Sequence, residues 1–456
     1  MCDSTENGNF EQNDSFSINF NQDFTSISVV GNSGYRLFTL ASVDKVEEIF
    51  CSNDESTEIS ERLFSSSLVA VVTTAEPHKL KVCHFKKGTE ICNFSYPSNI
   101  LSVRLNRTRL VICLNGSIYI HNIRDMKLLH SIRHIAPSDA GLCTLSLNSH
   151  LAYPISTTVG ELQIYDAGDL SVKIKIKAHE SPLSALNFSP NGLLLATASE
   201  KGTVIRVFCV VNGQKVHEFR RGVKRYVNIA SLTFSNCATF ICASSNTETV
   251  HIFKIDLKAV ETAERLNCNG DDGVLTEHND SSGELDVQES RWTMGFITKA
   301  MTSYFPSPVS DVLNQDRAFA TVQLAQAGLK HECVIVKLEK ETKVLAACTD
   351  GFLYIYNFDD VKGGECKLLR AHDLRNPLFG ITEVNLDCDK NDSTIVMKNS
   401  VQPAPGSYAS VLKGRDKDRM SAESDRCRDL LEAVCEYPPR SMFDEVHFPP
   451  VAVSTN

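Results

Sequence analysis

Short runs in which apolar and polar residues alternate follow one another along most of the chain, and turn-forming residues separate them. Ala185–Phe188, for example, is followed by Leu193–Ser199 and then by Thr203–Phe208. Alternation with a period of two predicts half-buried β-strands. Runs that open such a set recur about every 40 to 45 residues, which is the length of one four-stranded propeller blade. They begin at Ser102, Thr144, Ala185 and Ser231.

Further sets complete a ring of seven blades. Two more blades fit Leu63–Tyr96 and Cys333–Leu369, a shorter first blade fits Phe24–Leu40, and Val227–Leu324 forms one blade if it carries a long insertion. We therefore predict an all-β fold, a seven-bladed β-propeller. Its WD-type repeats are degenerate, because Trp292 is the only tryptophan and the Trp-Asp signature is missing. A β-sandwich followed by a second β domain is the alternative.

Three segments depart from the strand pattern. Residues 1–21 are polar and acidic, and we expect them to be disordered. The propeller is predicted over 22–372, with an insertion loop at about 256–316. Residues 373–456 are predicted to be a mostly disordered tail, apart from a short helical stretch at Asp425–Glu436.

Charge and cysteine content narrow the class of protein. The formal net charge is −10, so the chain has no overall basic field for nucleic acid, and any anionic partner must meet a local basic patch. The 16 cysteines are scattered without a Cys-x-x-Cys pair. The N-terminus has no apolar signal core, and no run approaches the roughly 18 to 20 apolar residues that span a bilayer. We therefore expect a cytoplasmic protein with free thiols.

Motifs of common catalytic sites are missing from the sequence. There is no Gly-x-Ser-x-Gly elbow, phosphate-binding P-loop, His-Glu-x-x-His or zinc-ligand spacing. We predict a protein that is not an enzyme and needs no cofactor or metal. Propeller enzymes can assemble a site from distant loops, so an enzyme remains an alternative. A protein-only β-propeller adaptor without lipid specificity is the other.

Candidate chemistry centres on Phe219–Gly222, which lies at the end of one predicted blade and reads Phe-Arg-Arg-Gly. Adjacent residues of an extended segment point to opposite sides, so Arg220 and Arg221 are expected to serve two separate pockets, one against each neighbouring blade. Two hydroxyl-rich turns, Thr197–Arg206 and Ser244–His251, flank the motif. Arginine forks and turn hydroxyls are good phosphate partners, which predicts twin anion sites. A solvated strand end and ordinary turns are the alternative interpretation.

These segments resemble the PROPPIN family, and within it the WIPI branch. The resemblance rests on Ala196–Phe208, Phe219–Gly222 and Ser244–Phe253, with support from Ile120–Lys127, and it covers roughly residues 22 to 370. It implies a WD-repeat scaffold of autophagosome assembly. Such a scaffold binds phosphatidylinositol 3-phosphate and phosphatidylinositol 3,5-bisphosphate as a peripheral membrane protein, at the phagophore assembly site and on endosomal membranes.

The resemblance also assigns site residues by matching position. Lipid-binding site one would contain His179, Thr197, Ser199, Gly202, Thr203, Arg206 and Arg220. Lipid-binding site two would contain Arg221, Gly222, Ser245, Thr249 and His251. Gly222 is expected to let the backbone turn or approach closely. The two histidines would strengthen binding at mildly acidic pH if they face phosphate, or else they are satisfied structural residues.

Three further contacts are expected outside these two sites. A membrane-inserting stripe is predicted at Trp292, Phe296, Ile297, Met301, Tyr304 and Phe305. A basic groove for an acidic partner helix is predicted from Arg104, Arg107, Arg109, Arg124 and Lys127, and scattered solvated arginines are the alternative. By resemblance, that partner would be the adaptor of the conjugation complex, beside an autophagy lipid-transfer protein. Phe443–Val446 matches a short motif for a ubiquitin-like modifier.

Overall fold

The computed structural model describes residues 16–31, 34–52, 56–222, 226–256, 317–324, 326, 328–375 and 419–435. Within these ranges, 28 strands form seven antiparallel blades of four consecutive strands each. The predicted seven-bladed β-propeller is confirmed. Five blades are separate four-stranded sheets, and the last two share one eight-stranded sheet.

The first four blades contain strands β1 to β16. Blade 1 comprises β1 Ser17–Phe20, β2 Ser26–Gly31, β3 Gly34–Leu40 and β4 Val46–Ser52. Blade 2 comprises β5 Thr57–Arg62, β6 Leu68–Thr73, β7 Lys79–His84 and β8 Thr89–Ser95, with a 3-10 helix at Phe85–Lys87. Blade 3 comprises β9 Ile100–Leu105, β10 Arg109–Leu114, β11 Ser117–Asn122 and β12 Leu128–Arg133. Blade 4 comprises β13 Thr144–Leu145, β14 His150–Pro154, β15 Gly160–Asp166 and β16 Ser171–His179.

The remaining blades contain strands β17 to β28. Blade 5 comprises β17 Leu183–Phe188, β18 Leu194–Ser199, β19 Val204–Cys209 and β20 Lys215–Arg220. Blade 6 comprises β21 Ile229–Phe234, β22 Phe240–Ser245, β23 Thr249–Lys254 and β24 Ala320–Gln323. Blade 7 comprises β25 His331–Leu338, β26 Glu341–Cys348, β27 Phe352–Asn357 and β28 Gly364–Asp373. The last strands of blades 6 and 7 pair in parallel, with Ala320 opposite Gly364.

Blade 1 is longer than its sequence pattern indicates. The structure adds β1 and β4 to the predicted span Phe24–Leu40, so the propeller begins at Ser17 and not at 22. The pattern misses β4 because its residues Val46–Ser52 are exposed or half-buried and include two glutamates. The ring closes where the Phe16 N–H donates to the Thr349 carbonyl of blade 7 at 2.9 Å.

The first strand of each blade lines a central channel. The channel contains a cavity of about 490 Å³ whose wall carries charged side chains, among them Glu58, Glu61, Arg104 and Glu332. Apolar side chains pack between the blades instead. Phe219 of blade 5 and Phe253 of blade 6, for instance, stack with ring centroids 5.0 Å apart and are almost fully buried. Burial of this kind stabilises each blade through its two neighbours.

An α-helix from the C-terminal region, α1 (Arg419–Cys435), packs on the propeller. Leu430 and Ala433 are buried in a cluster formed by blades 2 and 3. Lys87 of blade 2 pairs with Asp429 at 3.2 Å and with Glu432 at 2.7 Å. The sequence pattern predicts a helix here, but α1 begins six residues before Asp425 and is docked on the propeller. Among the described residues, no helix combines the length and apolar character that crossing a bilayer requires.

Candidate functional site

Arg220 and Arg221 point to opposite sides of blade 5. Arg220 is the last residue of β20, where it lies opposite Val204 and on the same face as Glu218. The Arg221 N–H donates to the Thr203 carbonyl at 2.9 Å, while the Arg221 side chain reaches blade 6. The alternation of an extended backbone produces this divergence. Each arginine therefore belongs to a separate polar cluster.

In site one, Arg206 lies in a row of side chains that crosses three neighbouring strands. Thr197 of β18 lies opposite Arg206 of β19, which lies opposite Glu218 of β20. The Arg206 Nη1 donates to the Ala178 carbonyl of blade 4 at 2.6 Å. This bond anchors Arg206 at the junction of blades 4 and 5.

Glu218 was not among the predicted site residues, yet it holds the cations of site one together. Its Oε2 accepts hydrogen bonds from the Arg206 Nε at 2.9 Å and the Lys215 Nζ at 2.8 Å. Its Oε1 lies 3.5 Å from the Arg220 Nη2. Partial burial raises the pKa of the Glu218 carboxyl, but the bonds from Lys215 and Arg206 outweigh it, so the pKa lies below its usual value. The spacing of two residues between Glu218 and Arg220 is the sequence signal for their common face.

His179 and Thr197 lie buried beneath the arginines of site one. The His179 Nε2 and the Thr197 Oγ1 share a hydrogen bond of 2.9 Å, and the Thr197 hydroxyl donates to the Arg206 carbonyl at 3.3 Å. Because a hydroxyl has one proton, Thr197 then accepts from His179. Burial, together with the charge of Arg206, lowers the pKa of His179 to about 4. His179 is therefore neutral at mildly acidic pH and acts as a structural partner of Thr197.

The turn of site one packs against Val227, which lies just before the first strand of blade 6. Gly202 has a φ of +59°, and its N–H donates to the Ser199 carbonyl at 2.8 Å. A Cβ at this position would lie 2.0 Å from the Val227 carbonyl oxygen. Ser199 is buried and Thr203 is half-buried. Glycine is thus required at position 202 both by its backbone conformation and by close packing.

Site two joins Arg221 to hydroxyls of blade 6. The Arg221 Nη2 donates to the Ser245 Oγ at 2.7 Å and also to the Thr247 Oγ1. The two hydroxyls share a hydrogen bond of 2.9 Å with each other. Thr247 was absent from the predicted set, although it lies within the hydroxyl-rich turn Ser244–His251. Thr249 lies at the edge of the site, where its hydroxyl donates to the Gln323 Oε1 at 3.4 Å.

The surroundings of His251 and Gly222, the other two residues predicted for site two, differ from those expected. His251 is half-buried on the Phe253 ring, with centroids 6.2 Å apart. Burial, with a smaller effect of the Arg221 charge, lowers the pKa of His251 to about 4, so it too is neutral at mildly acidic pH. A Cβ at Gly222 would meet no described atom within 4 Å. Neither a positive φ nor a close backbone approach therefore explains this glycine.

Of the five basic residues predicted to form one partner groove, Arg104 is set apart from the other four. Arg104 lies in the central channel, where its Nη1 is 3.2 Å from the Glu61 Oε1 and its Nε donates to the Cys143 carbonyl. Burial raises the pKa of Glu61 to about 7, against the opposing effect of the Arg104 charge. Arg104 belongs to the inner strand β9, which turns it towards the axis of the ring. It is thus unavailable to an outer groove.

The other four basic residues lie at one end of blade 3, where Arg109 of β10 is opposite Asn122 of β11 and the Ile123 N–H donates to the Thr108 carbonyl at 3.1 Å. Arg107 lies over the Phe64 ring at 4.4 Å. Arg109 donates to the Ala167 carbonyl of blade 4 at 2.6 Å. Arg124 and Lys127 are exposed at the turn between β11 and β12. These last two remain candidates for a partner.

Two groups of predicted residues lie outside the described ranges. One is the membrane-inserting stripe of Trp292, Phe296, Ile297, Met301, Tyr304 and Phe305, and the other is the short motif Phe443–Val446.

Comparison with known proteins assigns the family. The family model of PROPPIN matches residues 15–272 and 274–375. The chain belongs to the PROPPIN family. This PROPPIN is 48% identical over 405 residues to WD repeat domain phosphoinositide-interacting protein 2 of Xenopus laevis, covering 86% of the chain and 88% of the relative. It is 36% identical over 370 residues to Autophagy-related protein 18 of Caenorhabditis elegans, covering 78% and 85%.

Solved structures support the fold of this PROPPIN. The complex of KlAtg21 with the coiled coil of AgAtg16 matches with a TM-score of 0.59 and 23% identity, covering 79% of this chain and 99% of that one. At 23% identity, the match shows that the two proteins share the propeller fold.

Proposed function

We propose that this PROPPIN is a non-enzymatic phosphoinositide effector in autophagy. It binds phosphatidylinositol 3-phosphate and phosphatidylinositol 3,5-bisphosphate through sites one and two. The observation that carries the proposal is the divergence of Arg220 and Arg221 into two polar clusters on adjacent blade junctions. The names of the Xenopus laevis and Caenorhabditis elegans relatives support the ligand class and the process.

The two clusters suit phosphate monoesters. A monoester near neutral pH carries close to two negative charges and accepts several hydrogen bonds. Arg220 is largely exposed and can meet such a ligand, while Arg221 presents its fork beside the hydroxyls of Ser245 and Thr247. Charge-assisted hydrogen bonds of this type weaken with added salt, so each site alone binds modestly. Two sites on one rigid rim gain affinity by engaging the same membrane.

Liposome flotation tests this function. Wild-type protein is expected to float with phosphatidylcholine vesicles that carry phosphatidylinositol 3-phosphate and to stay in solution with plain vesicles. Arg220→Ala/Arg221→Ala is expected to lose this binding by at least about a hundredfold, because two charge-assisted contacts disappear. Each single substitution should retain part of it, since the other site remains.

Arg124→Ala/Lys127→Ala is the matched control, because it removes two exposed positive charges from blade 3 and leaves both sites intact. Flotation of wild type that ignores the phosphoinositide would favour the protein-only adaptor. A double variant Arg220→Ala/Arg221→Ala that floats normally would contradict the proposal as well.

Partner recruitment is the second part of the proposed function. The complex of the similar propeller KlAtg21 with a coiled coil favours a helical, conjugation-complex partner. Blades 2 and 3 already accept a helix through acidic side chains, since α1 places Asp429 and Glu432 on Lys87. We place the partner surface on these blades, near exposed Arg124 and Lys127.

Arg124→Glu/Lys127→Glu reverses the two charges proposed to meet the partner. It should therefore abolish capture of the coiled-coil partner in a pull-down with purified proteins, while lipid flotation stays unchanged.

A further inference from the structure

In site one a carboxylate contacts the cations directly. Glu218 lies on the same face of β20 as Arg220 and directly opposite Arg206. Arg206 and Lys215 contact its Oε2 at 2.9 and 2.8 Å, and Arg220 lies 3.5 Å from its Oε1. Arg221 in site two, by contrast, donates to the hydroxyls of Ser245 and Thr247. An acidic group at the centre of a phosphate site needs an explanation, because it repels the ligand's charge.

The charges of site one match a single phosphate group. Three cations surround one carboxylate, which leaves two positive charges. A phosphate monoester supplies about −1.5 to −2 at neutral pH and so balances the cluster. Once the first phosphate has balanced the cluster, a second phosphate placed beside Glu218 would meet a like charge. Like-charge contacts of this kind are a general means of rejecting a wrong ligand.

The free acceptor capacity of Glu218 points to a hydroxyl. Its Oε2 already accepts two hydrogen bonds, from Arg206 and Lys215. Its Oε1 lies 3.5 Å from the Arg220 Nη2, which is longer than an ordinary N–H···O bond. An ionised carboxylate only accepts, so Oε1 is open to a donor. The ring hydroxyls of inositol are donors, whereas a phosphate dianion is not.

We infer that Glu218 accepts the free 4-hydroxyl of an inositol ring whose 3-phosphate is bound by Arg206 and Arg220. Headgroups that carry phosphate on the 4-position are therefore rejected. This inference rests on the proposed function and adds the feature that sets its specificity. Phosphatidylinositol 3-phosphate and the 3,5-bisphosphate keep the free hydroxyl, and both fit. Phosphatidylinositol 3,4-bisphosphate places a charged phosphate against the carboxylate.

Vesicle titration of three proteins tests the role of Glu218. Phosphatidylcholine vesicles carry either phosphatidylinositol 3-phosphate or phosphatidylinositol 3,4-bisphosphate, and bound protein is measured for wild type, Glu218→Gln and Glu180→Gln. Glu180 follows His179, is exposed and pairs with Lys177, so the control removes the same charge outside the arginine cluster. In wild type we expect the 3-phosphate to be preferred. In Glu218→Gln that preference should fall by about tenfold, because the neutral amide no longer repels the 4-phosphate.

The ratio of the two affinities distinguishes this role from a purely structural one. If Glu218→Gln changes the affinity for both lipids by the same factor, the ratio stays at its wild-type value and the inference is overturned. The same loss of preference in Glu180→Gln would also overturn it. If Glu218→Gln unfolds early in a thermal melt, the neutral strand-forming Glu218→Thr replaces it with the same expected ratio. Wild-type protein that binds plain and phosphoinositide vesicles equally would overturn the proposed function, and this inference with it.

Discussion

Two adjacent arginines at one strand end point to opposite sides of the strand, and the side chains around them give each a different environment. Arg220 lies with Glu218 and Arg206 at the junction of blades 4 and 5. Arg221 lies with Ser245 and Thr247 at the junction of blades 5 and 6. Burial lowers the pKa of both His179 and His251 to about 4, which favours neutral histidines at mildly acidic pH. Arg206, Lys215 and Arg220 supply the positive charge in site one, and Arg221 supplies it in site two.

The turn glycine of site one supports a prediction on stability. Gly202→Ala should lower the free energy of unfolding by more than about 3 kcal/mol, because a methyl group would collide with the Val227 carbonyl in a left-handed backbone conformation. Gly88→Ala is the matched control, since Gly88 has a similar φ of +63° but open space at the Cβ position. It should cost only about 1 kcal/mol. Urea denaturation of both variants measures the difference, and equal losses would show that the contact with Val227 is relieved without cost.

At the scale of elements, strands with one apolar face are recovered from their pattern and the polar ones are not. The four predicted blade starts each lie within two residues of the first strand of a blade. The sequence pattern misses β1 and β4, because β4 is exposed at the outer edge of blade 1 and β1 borders the polar channel. α1 is foreseen as a helix, yet its packing on blade 2 depends on two buried side chains and a lysine from a distant segment. Local pattern does not contain that information.

The docking of α1 can be tested at one position of its buried face. Leu430→Asp should detach the helix, because it would place an unpaired charge in the cluster between blades 2 and 3, at a cost of several kcal/mol. Leu431→Asp changes the neighbouring exposed residue and should leave the helix in place. Hydrogen exchange of the 419–435 amides measures the outcome. Equal protection in both variants would mean that α1 is not held by its apolar face.

At the scale of the whole molecule, the ring closes between blades 7 and 1 without exchanging a strand. β1 pairs within blade 1, and the contacts across the closure include the Phe16 N–H bond and a shared apolar cluster that contains Phe20 and Val334. Each blade relies on both neighbours, so the closure contributes to the stability of all seven.

Removing β1 should therefore weaken the entire propeller. Deletion of residues 1–21 is expected to lower Tm by several degrees, because about 1 kcal/mol shifts Tm by roughly 2–4 °C in domains of 150–250 residues, and a ladder plus part of the closure is lost. Deletion of residues 1–14 retains Phe16 and β1 and serves as the control. Differential scanning calorimetry compares the two. Identical Tm values would show that β1 is dispensable for ring closure.

Period and alternation were enough to predict the blade count, the all-β class and the opposite orientation of Arg220 and Arg221, because these follow from neighbours along one strand. The placement of Glu218 between three cations depends on the register of β19 and β20, and the placement of Arg104 in the channel depends on which strand faces the axis. Thr247 meets Arg221 only because blades 5 and 6 pack together. Contacts between strands and between blades depend on strand register and on the closed ring, and local spacing along the chain determines neither.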